Sequence, residues 1–264
     1  MAFKRNTRIV LAIFNLIGFL ATAIVNALAN TLPINNNTTG ALSDMYPNLF
    51  VPAGLTFSVW GVIYALLAIF SVYQLILAFK KDSPNSAIID KISFWFILAS
   101  LFNIGWIFSW HYELVGISLI FMVLLFICLL MVFLRLNIGK SNANTGEKVF
   151  SHIPFSVYIG WITIATIANV TALLVDLGWN GFGLNDQFWT VLVILVGIII
   201  TLAMLFLRND VFYSLVVDWA IIGILIKRLQ SSEPAQLVVI ITIAGISAIS
   251  IGVIYQLIRR RKLY

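Results

Sequence analysis

Apolar residues run along this chain in long unbroken blocks, with few of the alternating or amphipathic stripes that mark soluble folds. Eight blocks stand out, at roughly 9–29, 54–79, 92–110, 115–134, 154–175, 188–207, 211–226 and 235–258. A hydrocarbon core about 30 Å thick is crossed by about 17–25 helical residues. Backbone groups in lipid must also be hydrogen-bonded within their own segment. The pattern therefore predicts an all-α fold, a polytopic membrane helical bundle of eight segments. The seventh block is the exception: it has sixteen residues and contains Asp218, so a tilted or incomplete span is expected there. The short connection His111–Glu113 makes the third and fourth blocks a tight helical hairpin.

The polar positions inside the blocks are patterned too. In the fifth, Tyr158, Trp161, Ala165 and Asn169 recur at three- and four-residue spacing. On a helix they fall within about 80° of one another. An amide facing hydrocarbon costs free energy unless it finds a partner, so this stripe faces other helices or a ligand. The second block carries Thr56, Trp60 and Tyr64, and the third carries Asn103, Trp106 and Trp110 on one face. Two readings stay open. The faces converge into an aromatic cavity with a few polar fixers, the usual make-up of a small-molecule site; or the rings anchor at interfaces while the amides cross-link helices. Asn15, Gly18, Thr22 and Asn26 form a similar stripe in the first block. Its basic start and Ala27-Leu28-Ala29 end resemble a signal peptide, but the stripe predicts a helix that packs against others. In the eighth block Ala244, Ala248 and Gly252 form a small-residue ladder expected to allow close helix approach. The sixth is almost uniformly aliphatic and is expected to face lipid.

Composition agrees with the pattern. Hydrophobic residues make up 61% of the chain and charged residues 10%, against about 25% charged in soluble domains. Mean hydropathy is +1.04. The formal charge of +6 has a topological origin. Lys4, Arg5, Arg8, Lys80, Lys81, Lys91, Arg135, Lys140, Lys148, Arg208 and the tail Arg259, Arg260, Arg261 and Lys262 all fall on one side of an eight-span topology, and only Lys227 and Arg228 fall opposite. The positive-inside rule then places both termini in the cytoplasm. The basic tail reads as a stop-transfer and anionic-lipid contact rather than a nucleic-acid site. Short loops suggest a bacterial inner membrane.

Little in the sequence suggests catalysis. His111 and His152 lie at opposite membrane faces, and no Cys/His/carboxylate cluster has metal-ligand spacing. Cys128 is the single cysteine, so no intramolecular disulfide can form. The glycines of Gly178-Trp179-Asn180-Gly181-Phe182-Gly183 are not followed by a phosphate-loop lysine and read as an interfacial loop. Asp218 is the one carboxylate in the middle of a predicted span. It is either a transport or proton site or the polar half of a contact between helices, with Tyr213 or Ser214 as neighbours.

Three motifs carry a family resemblance. The sequence Tyr158-x-x-Trp161-x-x-x-Ala165-x-x-x-Asn169 resembles the fifth helix of the tryptophan-rich sensory protein family, the translocator proteins (TspO/MBR). Asn103-x-x-Trp106 is similar to that family's third helix. Phe57-Ser-Val-Trp60-x-x-x-Tyr64 after Pro52 is similar to its second. Coverage is about residues 9–175. The resemblance implies a five-helix bundle with a cavity under the first outer loop, binding porphyrins and other flat hydrophobic molecules. Animal members bind cholesterol. On that basis Trp60, Tyr64, Asn103, Trp106, Tyr158, Trp161, Ala165 and Asn169 are candidate ligand-binding residues, and loop 31–52 is a lid. The family's Trp and paired Pro before helix two are replaced by separated Pro47 and Pro52. The basic residue of the sterol pattern is absent from Val170–Gly178.

The expected organisation is therefore a translocator-like bundle over 1–175 and an additional three-helix membrane segment with a basic tail over 176–264, for which the family offers no counterpart. The expected function is binding of a tetrapyrrole-like molecule in a sensor or scavenger role, with no cofactor beyond such a porphyrin-type ligand. The expected partners are the lipid bilayer, that ligand and, by the family's habit, a second copy in a homodimer. The alternative is a small-molecule permease using Asp218. An enzyme acting on the porphyrin would need a base or metal that the sequence does not offer.

Overall fold

In the computed structural model, residues 3–32, 34–81, 84–232 and 235–261 are described. These residues fold into helices and turns, with no strand among them. Eight long helices follow the eight apolar blocks: α1 (Arg5–Thr31), α2 (Val59–Phe79), α3 (Trp95–His111), α4 (Val115–Arg135), α5 (Ile153–Asp176), α6 (Asp186–Arg208), α7 (Val211–Leu229) and α8 (Gln236–Arg261). Six of them, all but α3 and α7, are long and apolar enough to cross a membrane.

The two shorter helices have separate causes. The third block was expected to begin at residue 92, but Ser93 adopts φ 52° and breaks the helix there. Ala87–Ile92 becomes a short helix of its own. What remains is α3, with 17 residues, or about 25 Å at 1.5 Å per residue. The apolar run is continuous across the break, so hydropathy alone does not show it. Helix α7 has 19 residues and buries Tyr213, Val217, Asp218, Ile221 and Ile224. It packs against α5, α6 and α8. Phe212, Leu215 and Leu229 remain exposed, but the face that carries Asp218 packs on protein, which is how the helix tolerates a carboxylate.

Polar cross-links hold the first bundle together. Asn15, Thr22 and Asn26 are buried against α2 and α3, as the stripe predicts. Asn15 Nδ2 donates to Gln74 Oε1 at 3.0 Å, Asn26 Nδ2 donates to Asn103 Oδ1 at 2.8 Å, and Thr22 Oγ1 donates to the Ser100 carbonyl at 3.3 Å. Side chains such as Phe14, Ile17 and Ile24 point outward from the other face of α1.

Helix α6 turns Thr190, Ile194, Ile198, Thr201 and Leu205 inward and Leu192, Val196, Ile199 and Phe206 outward. Its inner stripe meets α8, where the ladder expected from Ala244, Ala248 and Gly252 is corrected. Ala244 and Ala248 are exposed. The packed stripe is Val238, Thr242, Gly245, Ile249, Gly252 and Gln256, so only Gly252 belongs to both. A Cβ on Gly245 would come within 2.5 Å of Ile198 Cδ1, and one on Gly252 within 2.7 Å of Leu205 Cδ2. Strict four-residue steps drift round a helix, whereas a packed face mixes steps of three and four.

The two ends of the bundle differ in charge. At one end Arg8 holds Asp90 through Nε at 2.8 Å and Nη2 at 2.5 Å, and Arg135 reaches the Asp90 carbonyl at 3.1 Å. Lys91 pairs with Glu147 at 3.2 Å, and Arg208 lies over the Phe133 ring at 5.2 Å. These contacts gather the 80–94, 136–147 and 209–210 connections at a single basic end. Lys262 and the side chains of Arg260 and Arg261 lie outside the described residues.

Candidate functional site

At the opposite end, α2, α3 and α5 bring their aromatic faces together around Trp60. Its ring stacks on Tyr64 (centroids 5.5 Å apart, 17° between planes) and on Trp106 (6.1 Å, 27°). It meets Tyr158 and Trp161 edge-on at 6.1 and 6.2 Å. Trp106 continues the stack to Trp110 at 6.4 Å, and Phe57 sets its edge against Trp161 at 5.9 Å. Offset and edge-to-face arrangements at these distances suit the ring quadrupoles.

A cavity of about 50 Å³ lies within this box. Trp60 and Phe57 contribute from α2 and the turn before it, Trp106 and Trp110 from α3, and Trp161, Ile164, Ala165, Ala168 and Asn169 from α5. Thr39, Ser43 and Pro52 close it from the 31–53 connection. Five of the eight candidate residues therefore line the cavity: Trp60, Trp106, Trp161, Ala165 and Asn169. Tyr64 stands behind Trp60, and its hydroxyl is buried without a hydrogen-bond partner among the described residues. Asn103 and Tyr158 lie away from the lining. Asn103 Nδ2 donates to the Tyr158 hydroxyl at 3.0 Å while Asn103 Oδ1 accepts from Asn26, a closed network that ties α1, α3 and α5 together.

Asn169 is oriented from two sides. Its Oδ1 accepts from Trp106 Nε1 at 3.1 Å, and its Nδ2 donates to Ser118 Oγ at 3.0 Å. Trp161 differs from Trp106 and Trp110, whose indole nitrogens have acceptors. Its Nε1 is buried with no acceptor among the described residues, although Trp161 lines the cavity. An unpaired buried donor costs about 1–3 kcal/mol.

The 31–53 connection forms a roof with its own structure. Thr38 caps the short helix Thr39–Asp44 by accepting from Ala41 N at 3.2 Å. Asn48 Oδ1 accepts from Phe50 N and Val51 N at 3.0 and 3.1 Å, turning the chain. Trp110 Nε1 donates to the Thr39 carbonyl at 3.3 Å, and Asn35 Nδ2 to the His111 carbonyl at 3.0 Å. Tyr46 packs on Trp110 at 5.6 Å, where burial, with Glu113 and Asp176 adding to it, raises its pKa above the ordinary phenol value.

Helix α7 secures the other side of the roof, a role the sequence did not reveal. Lys227 pairs with Asp44. Ala53 N donates to the Gly223 carbonyl at 2.9 Å, and Trp219 Nε1 to the Thr56 carbonyl at 3.0 Å. Gly223 makes that approach possible, since a Cβ there would overlap Thr56 Oγ1 and lie 2.9 Å from Thr56 Cβ. A faint signal was present: Lys227 is one of two basic residues on the acidic side. Five carboxylates on that side could have matched it, so the pairing was not readable.

Asp218 stays outside this site. It is 7% exposed, and Oδ2 accepts from Ser250 Oγ of α8 at 2.9 Å while Oδ1 has no partner among the described residues. The neighbours expected from sequence are engaged elsewhere: Tyr213 donates to Thr163 at 3.0 Å, and Ser214 to the Asp210 carbonyl at 2.9 Å.

No curated protein and no solved structure matches the chain. A family match does exist, and it runs from residue 12 to residue 255. It passes through the second, third and fifth helices that carry the motifs and continues into α8. The last three helices, expected to have no family counterpart, thus lie inside the matched region. The chain is an integral membrane protein that belongs to the TSPO-like protein family.

Proposed function

We propose that this protein binds a flat, hydrophobic, tetrapyrrole-like molecule in the aromatic cavity beneath the 31–53 roof and acts as a sensor or scavenger of it. The observation that carries the reading is Trp161, a cavity-lining ring whose buried Nε1 donor lacks an acceptor among the described residues. A planar ligand with ring nitrogens or carboxylates would stack on Trp60, Trp106 and Trp161 and accept from Trp161.

The cavity, about 50 Å³, is well below the roughly 300–1,000 Å³ of a drug-sized ligand site, and in this reading it is the closed state. Binding therefore requires the roof to lift, and its ties to α3 and α7 set the cost of opening. In this reading the basic end faces the cytoplasm of a bacterial cell and the roof faces outward, following the positive-inside rule.

A Soret-band titration of the detergent-purified protein with protoporphyrin IX tests the proposal. Saturable micromolar binding that weakens several-fold in Trp161→Phe, which keeps a stacking ring but removes the donor, is the expected result. Non-saturable uptake, equal in both proteins, would contradict it. A permease is the second reading, favoured by Asp218 Oδ1, which has no partner among the described residues and lies between α7 and α8. It predicts that Asp218→Asn abolishes porphyrin flux in proteoliposomes while binding survives.

A further inference from the structure

A second cavity, of about 660 Å³, opens at the basic end. Its walls are the 138–142 turn, the Lys148–His152 turn leading into α5, the Asn209–Phe212 segment that starts α7, and Gln256 and Arg259 of α8. Its volume lies within the usual range for ligand sites.

The charges around it are unevenly satisfied. Elsewhere at this end Arg8 and Lys91 have carboxylate partners, Arg135 and Arg208 reach carbonyls, and Lys4, Lys80 and Lys81 are exposed with no ion pair among the described residues. Lys140, Lys148 and Arg259 line the cavity, are exposed, and form no ion pair among the described residues. The nearby carboxylates are committed. Asp210 accepts from Ser156 Oγ at 2.7 Å and, as the cap of α7, from Tyr213 N at 3.1 Å. Glu147 sits between Lys91 at 3.2 Å and His152 Nε2 at 3.6 Å.

Two lining groups also retain unused hydrogen-bonding capacity. Among the described residues Ser141 Oγ is buried without a hydrogen-bond partner, and His152, 5% exposed, has at Nε2 only the long 3.6 Å contact to Glu147. Three cations, a hydroxyl and an imidazole around one void suit a multidentate oxyanion. They do not suit a metal ion or an apolar molecule. Ammonium and guanidinium groups are the usual protein partners of phosphate.

We propose that this cavity binds a phosphate-bearing ligand, with Lys140, Lys148 and Arg259 as charge partners and Ser141 and His152 as hydrogen-bonding groups. The phosphate comes either from a lipid headgroup entering along the leaflet or from a soluble phosphate. The site is separate from the aromatic cavity, and its test does not depend on porphyrin binding.

Thermal unfolding of the full-length protein in detergent, titrated with dioleoylphosphatidylglycerol, dioleoylphosphatidylcholine or sodium phosphate against sodium chloride of equal ionic strength, decides the matter. The expected result is a saturable rise in Tm with phosphatidylglycerol or phosphate, absent with phosphatidylcholine or chloride. A response to phosphate assigns a soluble ligand, and a response to phosphatidylglycerol alone assigns a lipid. Lys140→Gln/Lys148→Gln is expected to weaken binding at least tenfold, and Lys140→Arg/Lys148→Arg to retain it. Lys80→Gln/Lys81→Gln removes two exposed charges at the same end outside the cavity and is expected to bind normally. The proposal is overturned if no ligand shifts Tm, if the Lys140/Lys148 glutamine variant binds like the parent, or if both glutamine variants lose binding equally.

Discussion

Replacing Gly223 with alanine tests whether α7 holds the roof closed. The new Cβ would overlap Thr56 Oγ1 and stand 2.8 Å from Thr56 Cγ2 and 2.9 Å from Thr56 Cβ. No rotation of Thr56 about χ1 relieves the last contact, and Thr56 is 1% exposed, so it has nowhere to retreat. Either α7 or the 53–58 turn must move. Overpacking of this kind costs about 1–3 kcal/mol. Loss of the Ala53–Gly223 and Trp219–Thr56 hydrogen bonds would add about 0.5–1.5 kcal/mol each. The closed state should lose about 2–6 kcal/mol, enough to lower Tm on the order of 10 °C. If opening limits entry, the association rate of protoporphyrin IX by stopped flow should rise at least about tenfold, since about 1.4 kcal/mol is a factor of ten. Gly61→Ala is the control, because a Cβ there meets nothing within 4 Å. Adding Thr56→Ala to Gly223→Ala should recover part of the loss, as expected for a coupled pair. A Gly223→Ala protein that matches Gly61→Ala in both Tm and association rate would refute the roof-anchoring role of α7.

Other perturbations separate structural from site residues. Asn103→Leu leaves the Tyr158 hydroxyl without its partner, while Asn26 Nδ2 keeps its bond to the Thr22 carbonyl at 2.9 Å; it should destabilise by about 1–3 kcal/mol for the one group stranded, read as a lower Tm with ligand affinity changed less than by Trp161→Phe. Lys227→Ala breaks a pair whose Asp44 side chain is 60% exposed, so unfolding measurements should show a change under about 1 kcal/mol that shrinks further in high salt. Gly252→Leu forces α8 away from Leu205 and Phe206 and should lower Tm without altering porphyrin affinity, because neither helix lines the aromatic cavity.

The long apolar blocks made the eight helices legible, since lipid imposes a strong one-dimensional constraint on sequence. The stripes on α1, α2, α3 and α5 were legible for a related reason: an amide or indole inside a membrane protein must find a partner. Periodicity identifies a face but not its depth. The periodic faces together with the family resemblance therefore grouped Asn103 and Tyr158 with Trp161 and Ala165, although the first two close a network outside the cavity lining. Periodicity also placed Ala244 and Ala248 in an interface from which they are absent. The roof was foreseen as loop 31–52, but its attachment to α7 was not. That attachment spans Ala53 to Gly223 and consists of backbone hydrogen bonds, a glycine and one ion pair. None of these leaves a periodic trace, and only the position of Lys227 on the acidic side hinted at it.

The central claim is that the space bounded by Trp60, Trp106, Trp161 and Ala165 is where the ligand sits. The most direct measurement is a protoporphyrin IX titration of Ala165→Phe, read by the Soret band, beside a thermal unfolding curve of the same protein. Ala165 is partly exposed and lines the cavity, so a phenyl ring should fill the space without unfolding the bundle. The account predicts saturable binding in the parent and its loss in Ala165→Phe at an unchanged Tm. Equal affinity in the two proteins would contradict it.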